Sequence, residues 1–243
     1  MKKLVVLFLM LVSISFAQEL EKDDFNNEFS EFSTPKESYD PLVDYNRTMT
    51  SFNHYVYLNI LEPTAKGYAT VVPEIARTGI SNFIDNVTFP IRFVNNVLQL
   101  KFNYALEELG RFAINSTIGI AGLMDPATSM NLKERKEDFG QTLAFYGAGE
   151  GFHLVLPFFG PSNLRDTFGL VADGYISPLT DVSSLDYKIP DRAEKTLGIQ
   201  TIKLVNNVSL NQGRYETFTK DAIDLYSLLK NAYNQRREKE IKE

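Results

Sequence analysis

The strongest constraint on the fold is an apolar stripe with helical spacing that follows Pro90. Its members step by threes and fours along the chain: Ile91, Val94, Leu98, Phe102, Ala105, Leu109 and Phe112. More apolar residues lie off the stripe, at Phe93, Val97, Leu100 and Tyr104. A helix that is apolar around so much of its girth is either buried at the centre of a protein or faces lipid. Because proline suits the first helical position, we predict that one helix begins at Pro90 and carries the whole stripe.

The preceding and following segments also favour helices. One apolar pattern ends at Pro63, and the next begins after Pro73. Their members are Phe52, Tyr55, Val56, Asn59 and Ile60, then Ile80, Phe83, Ile84 and Val87. Asp125-Pro126 predicts a helix start with the acid as its cap. Ser162 is predicted to cap another helix, with Gly174 at its end.

The C-terminal region, residues 191–243, has the pattern of two conventional amphipathic helices. Asn211-Gln212-Gly213 separates them. The first stripe is Leu197, Thr201, Leu204, Val205 and Val208, and the second is Tyr215, Phe218, Ala222, Leu225 and Leu229. The final residues, 235–243, are nearly all charged. We predict that they fray into solvent and are dispensable for folding.

Two further segments are apolar and short. Residues 112–124 are too few to cross a bilayer, which needs a helix of ~20 residues. Residues 152–161 fit either a buried strand followed by a turn at Gly160-Pro161 or a surface that contacts lipid, and the residues alone leave both open. Nearby glycines match no phosphate-binding loop and are interpreted as turns and close helix contacts. They are Gly119, Gly122, Gly147, Gly149 and Gly151.

The N-terminal residues have the pattern of an exported protein. Residues 1–17 combine two lysines, an apolar core and small residues before Gln18, which is typical of a cleavable signal peptide. Residues 18–39 carry seven acidic residues and two lysines and are predicted to be an acidic flexible leader. The chain contains no cysteine, so no disulfide stabilises the fold. No basic face emerges, which argues against a nucleic-acid partner.

No residue pattern indicates catalysis. The two histidines, His54 and His153, are far apart in sequence, and without cysteine a transition-metal site is not expected. Acidic neighbours suit general acid–base chemistry in principle, but ion pairs with arginines such as Arg92, Arg111 and Arg165 are the simpler interpretation. These acids are Glu107-Glu108, Glu137-Asp138, and Asp166 with Asp173. No GxSxG motif surrounds any serine, so a lipid hydrolase has no evident nucleophile.

Ordered sequence blocks over residues 40–180 resemble one family. The most specific are EDFGQTLAFYGAGEG, residues 137–151, and HLVLPFFGPSNLRD, residues 153–166. Shorter blocks agree, among them Asp40-Pro41-Leu42, Asn46-Arg47, Phe93-Val94-Asn95-Asn96, Gly110-Arg111-Phe112 and Asp125-Pro126-Ala127. Together they are similar to the MlaA (VacJ) family, the outer-membrane component of the system that maintains lipid asymmetry in Gram-negative bacteria.

The resemblance implies a mainly α fold. We expect residues 40–190 to form a ring-like helical bundle that lies in the periplasmic leaflet of the outer membrane without spanning it. An amphipathic channel would let mislocalised phospholipid leave the outer leaflet, with no bond broken and no cofactor. The implied partners are the phospholipid, an outer-membrane porin trimer and a soluble periplasmic MlaC-like lipid carrier. The C-terminal region is expected to project towards the periplasm and dock that carrier.

The resemblance and the apolar segments together select candidate site residues. Lipid-path candidates are Phe139, Gly147, Gly149, Gly151, Leu154, Leu156, Pro157, Phe158 and Phe159. Head-group candidates are Asn46, Arg47, Arg111 and Asn115. Asn46 also lies in an acid-extended glycosylation sequon, residues 44–48, which is a second possibility for that side chain. The alternative functions are a porin-associated scaffold without transport and, with less support, a lipid hydrolase.

The sequence departs from the family at the signal-peptide junction. Family members are acylated there on a cysteine, whereas this chain has Ala17-Gln18. We therefore predict a mature protein that begins at Gln18, carries no acyl chain and still fractionates with the outer membrane. Intact-mass measurement and membrane fractionation check this. Retention of residues 1–17, or recovery wholly in the soluble periplasm, would contradict it.

Overall fold

The computed structural model describes residues 40–181, 190 and 193–243, and it is mainly helical. The predicted signal peptide and acidic leader lie outside these residues, as does residue 191, where the C-terminal region was predicted to begin. The helices are α1 Val43–Val56, α2 Glu62–Val71, α3 Glu74–Val87, α4 Phe89–Leu98, α5 Phe102–Thr117, α6 Pro126–Ser129, α7 Phe139–Phe145, α8 Leu164–Ile176, α9 Ala193–Leu210, α10 Arg214–Thr219 and α11 Leu225–Lys242. The strands β1 His153–Leu156 and β2 Gly160–Asn163 lie between α7 and α8. Within the described residues, no helix is both long and apolar enough to cross a membrane.

Pro63 does not end a helix, contrary to the prediction. α1 passes through a π-helical turn, Tyr57–Leu61, directly into α2, and Pro63 lies in the first turn of α2. Glu62 donates its N–H to the carbonyl of Tyr57, five residues earlier. Proline has no N–H to donate, and the wider turn just before it accommodates that missing hydrogen bond.

The long apolar stripe is divided between α4 and α5, so the prediction of one helix is wrong. At the bend, Leu100 adopts a left-handed φ of 60°. The ammonium of Lys101 lies 2.6 Å from Oε1 of Glu137, which fixes the bend to another part of the chain. α5 then runs back along α4, so that Phe89 and Phe112 stack with ring centroids 4.1 Å apart. The apolar spacing continues across the bend because each of the two helices carries apolar residues both on the face that packs against the other helix and on the face that is exposed.

Residues 152–161 contain a strand, which agrees with the first of the two interpretations, a strand followed by a turn. β1 and β2 pair antiparallel, with His153 opposite Asn163 and Leu156 opposite Gly160. The turn, however, lies at residues 157–159, where Phe158 adopts a φ of 66°. Gly160 and Pro161 already belong to β2. The turn therefore precedes its predicted position.

Two asparagines of α1 attach this hairpin to the helices. Asn46 donates to the carbonyl of His153 at 3.0 Å and accepts from the N–H of Val155 at 2.8 Å. Asn53 lies two turns further along the same face and donates to the carbonyl of Leu156 at 2.9 Å. The two amides thus form hydrogen bonds with backbone groups on the edge of β1 that does not pair with β2, as a third strand would. These backbone groups are therefore buried with partners.

Helix caps explain several boundaries. Asp125 caps α6, as predicted. The cap of α8 is Asn163 and not Ser162, because β2 extends through Ser162 and the side chain of Asn163 accepts from the N–H of Asp166 at 2.8 Å. α8 also continues past Gly174 to Ile176.

The motif EDFGQ begins α7 with a capping box. Asp138 accepts from the N–H of Gln141 at 2.9 Å, and the side chain of Gln141 accepts from the N–H of Asp138 at 2.8 Å. Reciprocal bonds of this kind satisfy two N–H groups at the helix start that have no partner within the helix.

The C-terminal tail does not fray, contrary to the prediction. α11 extends to Lys242, and Arg237 within it is 5% exposed. Its guanidinium lies 2.6 Å from Oδ2 of Asp138 and 2.8 Å from Oδ2 of Asp166. The hydroxyl of Tyr233 also donates to Asp166. We call these four side chains the C-terminal clasp. The charged tail is thus held against the starts of α7 and α8.

Glycine is required where α7 and α8 cross at the clasp. A Cβ on Gly169 would lie 2.5 Å from the backbone nitrogen of Gly140. A Cβ on Gly140 would lie 2.5 Å from both the guanidinium of Arg237 and Oδ1 of Asp166. The contact at Gly169 is with backbone, so that position admits only a residue without a side chain, whereas a side chain at Gly140 would displace the guanidinium and carboxylate of the clasp.

We predict that Arg237→Gln destabilises the protein strongly. It leaves Asp138 and Asp166 near each other without their shared cation, and breaking a buried ion pair in this way costs about 3–5 kcal/mol. Thermal unfolding of the purified protein in detergent measures the loss. Lys242→Gln is the matched control, because its ion pair with Glu238 is exposed and such pairs contribute ~1 kcal/mol or less. Equal melting temperatures for the two variants would contradict the clasp.

Candidate functional site

The helices surround a cavity of about 530 Å³. Its volume is in the range of small-molecule binding sites. α1, α3, α4, α8, α9, α11 and the hairpin all contribute to the wall. Apolar side chains form part of it, namely Ile84, Ile91, Val155, Phe159, Leu170, Leu179 and Leu229. Between them, charged side chains face the same space, so the wall is amphipathic.

Arg92 is the centre of one charged group on the wall. Its guanidinium lies 2.7 Å from Oε2 of Glu108 and 3.5 Å from Oε1 of Glu134. Glu108 is fully buried behind it and also accepts from the N–H of Arg135 at 2.6 Å. Burial raises the pKa of Glu134 to about 7, although the charge of Arg92 opposes the rise. This cation is therefore neutralised by carboxylates of the protein itself.

Asp85 and Lys203 are a second charged group on the wall. Asp85 lies near the end of α3, and Lys203 lies in α9, which packs against α3. Burial raises the pKa of the Asp85 carboxyl, and Lys203 is the charge that most strongly opposes this. Burial likewise lowers the pKa of the Lys203 ammonium, and Asp85 is the main opposing charge. The two groups thus act on each other electrostatically across the cavity wall.

A third polar group joins α4, α7 and α8. Asp173 accepts from the amide of Asn95 at 2.9 Å and from the N–H of Phe139 at 3.0 Å. Burial and then the nearby charge of Asp138 raise the pKa of Asp173 to about 7, and the two hydrogen bonds oppose the rise. Thr142 donates to the oxygen of the same Asn95 amide at 2.8 Å. The group is internally satisfied.

The sequence-predicted lipid-path residues are dispersed by the fold. Phe159 lines the cavity. The other eight candidates do not appear on its wall: Phe139, Gly147, Gly149, Gly151, Leu154, Leu156, Pro157 and Phe158. The three glycines lie in an exposed loop between α7 and β1, and φ of 85° at Gly147 and 72° at Gly151 agrees with their interpretation as turn residues.

The head-group candidates are engaged by other protein groups. Asn46 is fully buried and holds β1, which also leaves its amide inaccessible to a glycosyl group in the folded chain. Arg47 lies 2.7 Å from Asp224 at the surface. Arg111 and Asn115 both bind Asp125, at 2.8 Å and 2.9 Å. A head-group role for these four stays a prediction, and the structure gives each a structural contact.

The interpretation of the paired acids as ion pairs is confirmed in most cases. Glu107 binds Arg135, Glu108 binds Arg92, and Glu137 binds Lys101. Asp138 and Asp166 share Arg237, and Arg165 lies 3.0 Å from Asp166. Asp173 differs, because neutral donors hold it. Among the described residues, no three His, Asp or Glu side chains are placed to hold a metal ion.

The sequence reasoning named Arg92 only as an ion-pair partner and did not name Asp85 or Lys203. Each is the one charged residue of a short apolar or amide-rich stretch: ISNFIDNVTF, PIRFVNN and TIKLVNN. A single charge in such a stretch is costly unless it faces a polar space or a partner, and this signal would have marked each residue as a candidate.

The polarity of the protein is inverted relative to a water-soluble domain. Among the described residues, buried polar and charged side chains outnumber buried hydrophobic ones. Large apolar side chains are exposed instead, including Leu100, Phe102, Leu106, Ile118, Ile120 and Met124, each at least 57% exposed. Large exposed apolar patches are often interaction sites on proteins, so these side chains are candidates for contact with another molecule.

His153 is buried at the hairpin with no hydrogen bond to either ring nitrogen. The rings of Tyr226 and Tyr233 lie 5.9 Å and 6.0 Å from it. Burial and then the charge of Lys230 lower its pKa to about 4, while Asp40 opposes the change. The imidazole is therefore neutral and acts as a packed aromatic ring.

Comparison with known proteins gives consistent matches. A model of the MlaA lipoprotein family matches residues 38–240. A protein of Rickettsia bellii is 32% identical over 246 residues, covering 99% of this chain and 93% of the relative. The intermembrane phospholipid transport system lipoprotein MlaA of Escherichia coli is 39% identical over 145 residues, 58% of each protein. A solved structure from work on the maintenance of bacterial outer membrane lipid asymmetry has a TM-score of 0.69 and 30% identity, covering 84% of this chain and 100% of that one.

We predict that His153 makes stability fall in acid. Its folded pKa of about 4 lies below the unfolded value of about 6.5, so the unfolded chain binds more protons between these values. The contribution is present above pH ~6.5 and is lost as the pH falls towards 4, on the order of 3 kcal/mol. Unfolding free energies of the native protein and His153→Phe at pH 7 and 4.5 measure it. Between pH 7 and 4.5 the unfolding free energy of the native protein should fall more than that of the variant. Equal decreases would contradict a lowered pKa of His153.

Proposed function

Because the chain belongs to the MlaA lipoprotein family, we propose that it moves phospholipid out of the outer leaflet of the outer membrane and so maintains lipid asymmetry. The observation that carries the proposal is the amphipathic cavity inside a shell with an apolar exterior. A phospholipid needs an apolar wall for its tails and polar groups for its head group. The wall supplies both, since Leu170 and Leu179 lie on the same cavity as Arg92 and Lys203.

The exterior supports a position in one leaflet. Exposed apolar side chains continue from the α4–α5 bend through residues 118–124, and each such group gains by leaving water. Helices suit this environment because their backbone groups are satisfied within each segment. In this arrangement the apolar shell contacts inner-leaflet lipid, while the cavity gives a lipid from the other leaflet a separate polar route.

The partners follow from the same arrangement. We propose that an outer-membrane porin trimer contacts the apolar exterior and that a soluble MlaC-like carrier receives the lipid on the periplasmic side. The segment between α10 and α11 suits the carrier contact, because Ile223 there is fully exposed and belongs to the amphipathic C-terminal region. The end of α11, by contrast, stabilises the bundle, because its Arg237 belongs to the clasp.

Two other functions fit the observations less well. A scaffold that only binds porin would not need charged residues on the wall of an internal cavity. A hydrolase would need an activated nucleophile, and the acids Glu108, Glu134 and Asp173 at the cavity are engaged in ion pairs or hydrogen bonds. Transport needs only binding and release, which the wall can provide without reaction chemistry.

We predict that Leu170→Trp reduces lipid binding by filling the cavity. Leu170 lies on the cavity wall in α8, and the larger ring takes space that a lipid would occupy. Phe168→Trp is the matched control, because Phe168 lies on the same helix and is 64% exposed. Mass spectrometry of the detergent-purified proteins measures bound phospholipid, which should fall severalfold in the first variant alone. Equal phospholipid in both variants would contradict the route through this cavity.

We predict that Leu106→Lys weakens membrane association while leaving the fold intact. Leu106 is 64% exposed on the outer face of α5, and a lysine in hydrocarbon costs about 2.5–3.5 kcal/mol on insertion scales. Gln212→Lys adds the same charge at an exposed polar site. Flotation with lipid vesicles should separate the two variants. If both float like the native protein, α5 does not face the bilayer.

A further inference from the structure

Two opposite charges on the cavity wall have no direct partner. Asp85 and Lys203 both face the cavity from neighbouring helices, α3 and α9. In the part of the chain that the structure describes, the carboxylate of Asp85 accepts no hydrogen bond, and no carboxylate lies within 4 Å of the Lys203 ammonium. Charged groups this enclosed are normally paired, because an unpaired charge loses its hydration without compensation.

Neighbouring cations do not share this property. Arg92 is held by Glu108 and Glu134, Arg237 is held by the two aspartates of the clasp, and Lys136 lies 3.6 Å from Glu134. Lys203 is thus a cation of the wall whose donors remain available. Asp85 is the corresponding acceptor, since Arg92 bonds its backbone carbonyl at 3.1 Å and leaves its carboxylate unused.

The two charges are near enough to influence each other and too far apart to bond. Lys203 is the charge that most strongly lowers the pKa of Asp85, and Asp85 is the charge that most strongly raises the pKa of Lys203, against the effect of burial in each case. A polar contact longer than a hydrogen bond leaves room for atoms of another molecule between the groups. Those atoms must carry acceptors towards Lys203 and donors towards Asp85.

We propose that Asp85 and Lys203 form a head-group site for a zwitterionic phospholipid of the ethanolamine type. Lys203 donates to a phosphate oxygen, and Asp85 accepts from the ligand's ammonium group. The neighbouring apolar wall at Ile84 receives the first part of the acyl chains. This inference rests on the proposed function and adds the class of lipid that the cavity prefers.

The charge pair selects against other lipid classes. An anionic phosphatidylglycerol satisfies Lys203 but leaves Asp85 without a donor cation and close to a second negative charge. A zwitterion satisfies both groups with charge-assisted hydrogen bonds, which are about twice as strong as neutral ones. Specificity arises mainly from the group left unpaired by the wrong ligand.

The test is competitive binding with the full chain purified in detergent. The protein is mixed with equal amounts of phosphatidylethanolamine and phosphatidylglycerol of matched acyl chains, reisolated, and its lipid measured by mass spectrometry. We expect at least about tenfold enrichment of phosphatidylethanolamine, since one hydrogen bond to a charged group is gained. Asp85→Asn should reduce the enrichment to near unity without reducing total lipid, whereas Lys203→Gln should lower the amounts of both lipids.

The controls separate this inference from loss of fold and from the proposed function. Glu194→Gln removes an exposed charge on the same helix as Lys203 and should bind like the native protein. A general folding defect lowers total lipid in both cavity variants, so preserved total lipid in Asp85→Asn together with lost selectivity supports the site. Bound lipid with equal selectivity in native and Asp85→Asn proteins overturns the site and leaves the transport proposal standing. No lipid of either class on the native protein overturns both.

Discussion

The bond between Arg237 and two aspartates is the interaction on which much of the bundle depends. Asp138 begins α7 with its capping box, and Asp166 lies in the first turn of α8. Negative charge at a helix start is stabilised by the helix dipole, and here it also binds a buried guanidinium from the last helix. One side chain of the last helix thus binds the starts of α8 and α7, which lie about 70 and 100 residues earlier in the chain, and their positions define one side of the cavity.

The remainder of the interior is organised by amides and not by a large apolar core. Asn46 holds β1, Asn95 connects α4 to α7 and α8, and Asn115 binds the cap of α6. An amide donates and accepts at once, so each can satisfy two backbone or side-chain groups on different elements. A polar interior of this kind rigidifies the bundle only when its members are paired, which makes the unpaired Asp85 and Lys203 stand out.

Several local features could be predicted from sequence because their causes are local. The helical period, the Asp125-Pro126 start, the turn glycines and the ion pairing of Arg165 with Asp166 depend on residues close to one another. The errors had non-local causes. Pro63 is accommodated by a π-helical turn, the stripe after Pro90 is folded back on itself, and the charged tail finds carboxylates about 70 and 100 residues away.

The sequence by itself determined that the chain is mainly helical, which segments are apolar, and which family the motif blocks resemble. Only the tertiary structure decided which face of each apolar helix points outward and which charges meet inside. Periodicity records that a helix has an apolar face, but it does not record whether protein or lipid covers that face. Likewise, a lone charge in an apolar stretch marks Asp85, Arg92 and Lys203 one by one, but only the packing of helices far apart in sequence brings them to one cavity.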